Sequence, residues 1–422
     1  MKNIFNKLMS FELWEMRWLR WKIKFLHPLY QKYILPRKVE VLRKKDIIKV
    51  LFVIHELGSW KTELLYLEML KNPRFTPQLL LIKSTEDYSY DIVKEYLENK
   101  GYPYETLTEG ESIKKKIHPD IIFYGKPYDG VLNWRYFYAN NLYAVFCYVV
   151  YSFRNRNSQH LRKHTFFDFT WQLYAENEKV IEEMYDVLNT RGRNMVNTGL
   201  PFMDTLLLDK SYFENPWKPL SGERKRIIYA PHHTLKVANT TFKSPFYYAT
   251  FLEYGDFMLE MAEKYKDKVQ WSFKPHPLLR AKLCEIWGLE KTDAYYRQWA
   301  EMDNCQIDEG EYMGLFKHSD ALIHDCGSFK LEYLYTNNPV LYLLKENPEY
   351  DYENWQTTRA MELHYKAETK ADIERFILDV INSKDPLRGS RKKFVNDYLT
   401  PPNGKTACEN IINAILGKEE YV

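Results

Sequence analysis

The sequence predicts an α/β protein of two parallel-sheet, Rossmann-like domains, preceded by a basic, aromatic helical segment. Three observations predict it. Short apolar runs alternate with helical stretches at the spacing of a parallel sheet with crossover helices. The chain has 422 residues, more than one typical core holds. One stretch, residues 205–224, interrupts the alternation with Pro216, Trp217, Pro219, Ser221 and Gly222, and reads as a linker. The expected division is therefore 1–45, 46–204, the linker 205–224, and 225–422.

Composition narrows the class. Sixty basic against 57 acidic residues give +3, too balanced to imply nucleic acid as a partner. The 34 Tyr, 23 Phe and 11 Trp suit carbohydrate stacking, a membrane interface or simply a core, and do not choose among them. The five cysteines, at 147, 284, 305, 326 and 408, show neither C-x-x-C pairing nor metal-ligand spacing, which fits a reducing compartment. No secretory leader and no run of about 18 apolar residues is visible.

In chain order, residues 1–45 place Trp14, Trp18 and Trp21 among Arg17, Arg20, Lys22 and Lys24, the composition of a helix lying on an anionic membrane surface. The competing reading is a helix packed on the protein's own body. Lys49 to Ile54 is a buried strand, followed by the loop His55 to Trp60 and a helix from Thr62 to Leu70. Gln78 to Ile82, Asp120 to Phe123 and Tyr143 to Val150 supply further strands, and Asp91 to Asn99 a helix stopped by Gly101. No G-x-G-x-x-G fingerprint accompanies them. Met195-Val196 and Asn197-Thr198-Gly199-Leu200-Pro201 read as a strand end crossing between domains. Helices at roughly 371–383, 388–398 and 405–416 close the chain.

The second domain carries the chemistry. The strand at Arg226–Ala230 ends in Pro231-His232-His233-Thr234, and Val269–Phe273 ends in Lys274-Pro275-His276-Pro277. Ala321-Leu322-Ile323 ends in His324-Asp325-Cys326-Gly327, with a helix from Ser328. Parallel strands bring their carboxyl ends to one edge, where open α/β sheets bind ligands. Imidazoles, one Lys and a helix N-terminus suit a pyrophosphate. Alternatively, Asp325 and Ser328 merely cap the helix. Adjacent His232 and His233 are poorly disposed to chelate one ion, so no metal site is expected.

These turns resemble those of bacterial CDP-glycerol glycerophosphotransferases, the teichoic-acid and capsule polymerases. Asp325-Cys326-Gly327-Ser328 with Glu332 is similar to the family's D-x-S-S-x-x-x-D/E, with Gly327 in place of the first Ser. Thr198 to Asp204 resembles T-G-x-P-x-x-D, Tyr229-Ala230-Pro231 the Y-A-P element, and Lys274 to Pro277 the K/R-x-H-P element. The family's Trp-His-Gly, which carries its candidate base, has no counterpart after Leu142–Val150; His160 and His164 lie nearby. The resemblance implies a GT-B arrangement, two Rossmann-like domains facing across a cleft, whose last helix often returns to the first domain. It also implies transfer of glycerol phosphate from a CDP-alditol to a lipid-linked or polymeric acceptor, with release of CMP and no required metal or other cofactor. His276, Ser328 and the Asp325–Gly327 turn would then hold the donor phosphates together with His232 and Lys274. His233 would stabilise the transferred group or act in proton transfer, so that His233 and His276 are the expected catalytic pair, and Glu332 would bind the ribose. The expected place of action is the cytoplasmic face of the membrane, as a peripheral protein, or the cytoplasm. Two other readings stay open: a GT-B glycosyltransferase using an NDP-sugar, and a catalytically silent scaffold of a polysaccharide assembly complex.

Overall fold

The computed structural model describes residues 25–83, 89–126, 136–154, 161, 164–235, 249–345 and 354–418. The chain forms two compact units: residues 1–152, 158–204 and 401–422 make the first, and residues 153–157 and 205–400 the second.

The first unit holds a seven-stranded parallel sheet, in the order β3-β2-β1-β4-β5-β6-β7. Its strands are β1 (Ile48–Ile54), β2 (Phe75–Leu81), β3 (Tyr104–Glu105), β4 (Ile121–Tyr124), β5 (Val145–Val149), β6 (Thr170–Ala175) and β7 (Met195–Asn197). After the exposed Lys49, the strand runs apolar from Val50 to Ile54 because β1 is central and covered on both faces. The helix Tyr90–Lys100 ends where expected, with Gly101 in the left-handed conformation.

The second unit repeats the design with six parallel strands, in the order β10-β9-β8-β11-β12-β13. They are β8 (Lys225–Ala230), β9 (Val269–Phe273), β10 (Cys305–Ile307), β11 (Ala321–His324), β12 (Val340–Leu343) and β13 (Tyr365–Ala367). Its core joins Trp271, Phe273 and Trp299 to the inward face of the helix Phe251–Lys264. In both units the strand order reverses beside the first strand, between β1 and β4 and between β8 and β11. That reversal opens the crevice in which such sheets bind ligands.

Three expectations are corrected. Residues 205–224 are not a free linker but part of the second unit. Trp217 is buried there, its indole N–H donating to the Leu315 carbonyl, and the Lys218 amide donates to Gln306. The block 225–422 is not one domain, because residues 401–422 belong to the first unit. The buried Asp204 carboxylate accepts the amides of Ala407 (2.8 Å) and Cys408 (3.0 Å), tying the helix Ala407–Leu416 to that unit. Gly199 is in the left-handed region (φ 77°), and a side chain there would lie 2.8 Å from Pro401. Third, the helix expected from Ser328 is a single α-turn, Phe329–Glu332, continued as a 3₁₀ turn, Tyr333–Thr336.

Replacing Asp204 by alanine strands two buried amides at a helix start and is expected to cost about 1–3 kcal/mol. Urea unfolding followed by circular dichroism measures it, and an unchanged midpoint would remove Asp204 from this role.

The described part of the N-terminal segment is helical. Residues 25–29 lead into a π-turn, Tyr30–Ile34, and the helix Leu35–Arg43. Tyr30, Leu35 and Leu42 are buried, and Tyr30 lies against Phe169. Phe25, Leu29, Tyr33, Ile34 and Val41 remain exposed. Residues 1–24, with the three Trp, lie outside the described residues. No helix among the described residues is long and apolar enough to cross a membrane.

Candidate active site

The strands β9, β8 and β11 are neighbours, so their three polar turns stand side by side at one edge of the second unit. Backbone bonds zip the turns together. The His276 amide donates to Pro231 (3.0 Å) and the Lys274 amide to Tyr229 (2.8 Å). Three imidazoles meet above them. The rings of His233 and His276 stack at 4.1 Å with planes 13° apart, while His232 lies 4.4 and 4.9 Å from them.

Local hydrogen bonds fix which nitrogen of two of these rings carries the proton. Nδ1 of His276 accepts the Leu278 amide (3.2 Å), and Nδ1 of His232 the Thr234 amide (3.3 Å). A neutral ring whose Nδ1 accepts must carry its proton on Nε2. Burial keeps the rings neutral: it pushes His232 down to about 3 and His276 to about 4, with the neighbouring imidazoles adding to the effect. His233 is lowered to about 4, by burial first and by Lys282 second. The cluster therefore presents N–H donors.

Among the described residues this is the one group of His, Cys, Asp and Glu able to hold a metal, its ligand atoms lying within 4.8 Å of one another. The proximity corrects the expectation that adjacent His232 and His233 could not approach one ion. The fit to a cation is nevertheless poor. A metal on Nε2 would move the proton to Nδ1, against the amides of Thr234 and Leu278. The lone pairs of two nearly parallel rings also do not converge on a point.

Asp325 turns out to brace the site. Fully buried, its carboxylate accepts the His232 amide at 2.6 Å, and the Thr250 amide and hydroxyl at 2.7 and 2.9 Å. Burial raises its pKa to about 6 against the pull of those bonds. It ties the turn after β8 to the start of the helix Phe251–Lys264 and does not face a ligand directly. Neither Asp325 nor Ser328 caps the turn Phe329–Glu332; Ser328 makes no capping bond, and it and Gly327 are half-buried at the edge. His324 completes β11 and does not begin the turn; it is fully buried, with Nδ1 accepting the Cys326 amide.

Lys274 and Glu332 lie deeper than expected. The Lys274 ammonium donates to the Gly310 carbonyl (2.8 Å) and sits over the Tyr312 ring, and burial lowers its pKa. Glu332 is 2% exposed and accepts the Tyr312 hydroxyl at 2.7 Å. Thr250, Gly310 and Tyr312 were missed as supporting residues. No sequence signal marks them, because each acts through a long-range bond. In the first unit, His164 is half-buried beside the short helix Phe166–Phe169, apart from the imidazole cluster in chain and in unit. His160 lies outside the described residues. The first unit's own crevice holds the ion pair of Lys126 with Glu56, beside the buried His55.

Comparison with known proteins bears on the fold and the family. The wall teichoic acid polymerase TagF superposes with a TM-score of 0.59 at 14% identity, covering 94% of this chain and 96% of that one. UDP-GlcNAc 2-epimerase from Neisseria meningitidis, solved with UDP-GlcNAc, superposes at 0.55 with 14% identity over 88% and 100%. Likeness at this identity shows a shared fold, the GT-B type. No curated protein sequence matches significantly. The family model described as CDP-Glycerol:Poly(glycerophosphate) glycerophosphotransferase matches residues 149–417, more than half of the chain. The chain thus belongs to the CDP-glycerol:poly(glycerophosphate) glycerophosphotransferase family and is an enzyme of that type.

Proposed function

We propose that the chain transfers glycerol phosphate, or a related polyol phosphate, from a CDP-alditol to a hydroxyl of a lipid-linked or polymeric acceptor in teichoic-acid or capsule-type synthesis. The observation that carries this reading is the cluster of His232, His233 and His276 beside the crevice between β8 and β11, with two of its rings held in the tautomer protonated on Nε2. The acceptor oxygen attacks the phosphorus bearing glycerol, that phosphorus's bond to the bridging oxygen breaks, and CMP leaves with the electron pair. The acceptor proton passes to a base not identified among these residues. His276, His232 and Ser328 hold the donor phosphates, and His233 serves the transferred group; Lys274, Asp325 and Glu332 hold the turns that carry them. Fixed donors of this kind stabilise charge as it moves without reorganising. No metal is required in this scheme, since the rings offer donors and not lone pairs.

The N-terminal helix supports a further part of the proposal, peripheral binding to an anionic membrane on the cytoplasmic side. Phe25, Leu29 and Tyr33, spaced by four, are exposed beside Lys32 and Arg37.

Charge linkage supplies a test. The free imidazoles titrate at about 3 to 4. A bound diphosphate raises those values, so the complex holds more protons than the free protein. Donor affinity must then rise as pH falls, starting from the raised value and ending near the free ones, by up to about tenfold per pH unit per proton taken up. Calorimetry with CDP-glycerol from pH 7 to 4, in two buffers of different ionisation enthalpy, should show proton uptake. Affinity that is flat and independent of buffer would contradict diphosphate binding at the imidazoles.

A further inference from the structure

The amino-terminal end of the second sheet holds a cavity that the transfer reaction does not use. It encloses about 410 Å³ and is lined by Lys210, Arg224, Arg226 and Lys317, with Glu223 and Asp320 as its acidic members. It lies on the far side of the sheet from the imidazoles: Arg226 precedes Ala230 by four residues of β8, roughly 13 Å of strand.

The Asp209 carboxylate acts electrostatically on Lys210 and Lys317, while the direct contacts of Lys317, Arg226 and Arg224 go to carbonyls and an indole. Lys317 donates to the Leu206 carbonyl (2.7 Å). Arg226 reaches the His318 carbonyl (3.4 Å) and lies over the buried Trp217 ring. Arg224 donates to the carbonyls of Lys266 and Ser221. Asp320 is occupied in accepting the Arg226 amide at 2.8 Å. Carbonyls and an indole orient Lys317, Arg226 and Arg224, and each of the three keeps N–H donors to spare. Burial lowers the Lys317 ammonium from its usual value, with Asp209 opposing that shift, and a bound anion would relieve the burial cost further.

We propose that this cavity binds one phosphate of a glycerol-phosphate diester, at a site separate from the donor site. An Arg set on an aromatic ring beside a Lys matches the bidentate-plus-point-charge recognition of phosphate oxygens. Two sources share that chemistry. One is a poly(glycerophosphate) chain, as acceptor or product, and this source rests on the function proposed above. The other is the headgroup of a phosphatidylglycerol surface, for which the exposed Leu207, Leu208 and Tyr212 flanking Lys210 provide apolar neighbours.

The test uses the full chain and a double variant, Arg226→Gln with Lys317→Gln. Soluble oligo(glycerol phosphate) is titrated by calorimetry, and phosphatidylglycerol vesicles are co-sedimented, at two salt concentrations. CDP-glycerol affinity and thermal unfolding report whether the variant keeps its fold and donor site. The expected result is salt-sensitive binding of one probe that falls at least tenfold in the double variant with CDP-glycerol affinity unchanged; the probe that responds identifies the source. The charge-conserving pair Arg226→Lys with Lys317→Arg should bind more tightly than the double Gln variant and more weakly than wild type, since the charge is kept and the stacked, bidentate Arg is lost. Equal binding by wild type and double variant, or binding of neither probe, would overturn the site. Loss of CDP-glycerol binding in the wild type would instead count against the donor reading, so the two failures are distinguishable.

Discussion

Replacing His276 by alanine is expected to lower turnover of CDP-glycerol by about 10²–10³-fold, the usual effect of removing one preorganised donor to developing charge. The ring has little structural duty to lose. Its Nδ1 accepts a single amide two residues on, and its face stacks on His233 at 4.1 Å. The variant should therefore keep its unfolding midpoint within about 1 kcal/mol of wild type. His276→Asn retains an N–H donor on a shorter arm and should recover part of the rate. Because the ring touches the donor phosphates in the ground state and does so more strongly as charge develops in the transition state, KM should rise and kcat should fall. Steady-state kinetics on the three proteins, with CMP release as readout, decides the matter. An unchanged rate in the alanine variant would remove His276 from the site.

Asp325→Asn is expected to have the largest effect on stability. The carboxylate accepts three donors in a fully buried position: two backbone amides and the Thr250 hydroxyl. A carboxamide offers only one oxygen and turns an NH₂ group against a donor. At about 1–3 kcal/mol for each buried donor left unsatisfied, the loss should reach about 3 kcal/mol. Activity should fall as well, because the His232 amide is released. Urea unfolding at pH 8, where the carboxyl is ionised given its value of about 6, measures the effect. A variant as stable as wild type would show that Asp325 is not the brace described here.

Much of this was legible in the sequence, for physical reasons that differ by element. Central strands announced themselves because burial on both faces demands apolar runs, as in Val50–Ile54 and Ala321–Ile323. Short edge strands such as Tyr104–Glu105 and Tyr365–Ala367 did not, having too few residues to show a period. His232, His233 and His276 could be brought together on paper because parallel strands align their carboxyl ends. Their tautomers could not, since these depend on amides placed by the turns. Asp325 was recognised as important but misassigned, because its partner Thr250 lies 75 residues away and no local pattern links them. The limits of the second unit were missed for a similar reason: Asp204 meets the helix Ala407–Leu416 across 203 residues of chain. Trp217, read as part of a linker, is a core residue whose environment is built from the strand and helix that follow much later.

The central claim is that the imidazole edge of the second unit acts on a CDP-alditol. Its most direct test is product analysis. Purified protein is incubated with CDP-glycerol, CDP-ribitol and a panel of NDP-sugars, together with lipid-linked acceptors from a bacterial membrane extract. Nucleotide products are then resolved by chromatography. The account predicts CMP from a CDP-alditol, dependent on acceptor and lost in His276→Ala. Release of a nucleoside diphosphate from a sugar nucleotide, with CDP-alditols left intact, would contradict it and make the chain a glycosyltransferase on the same fold.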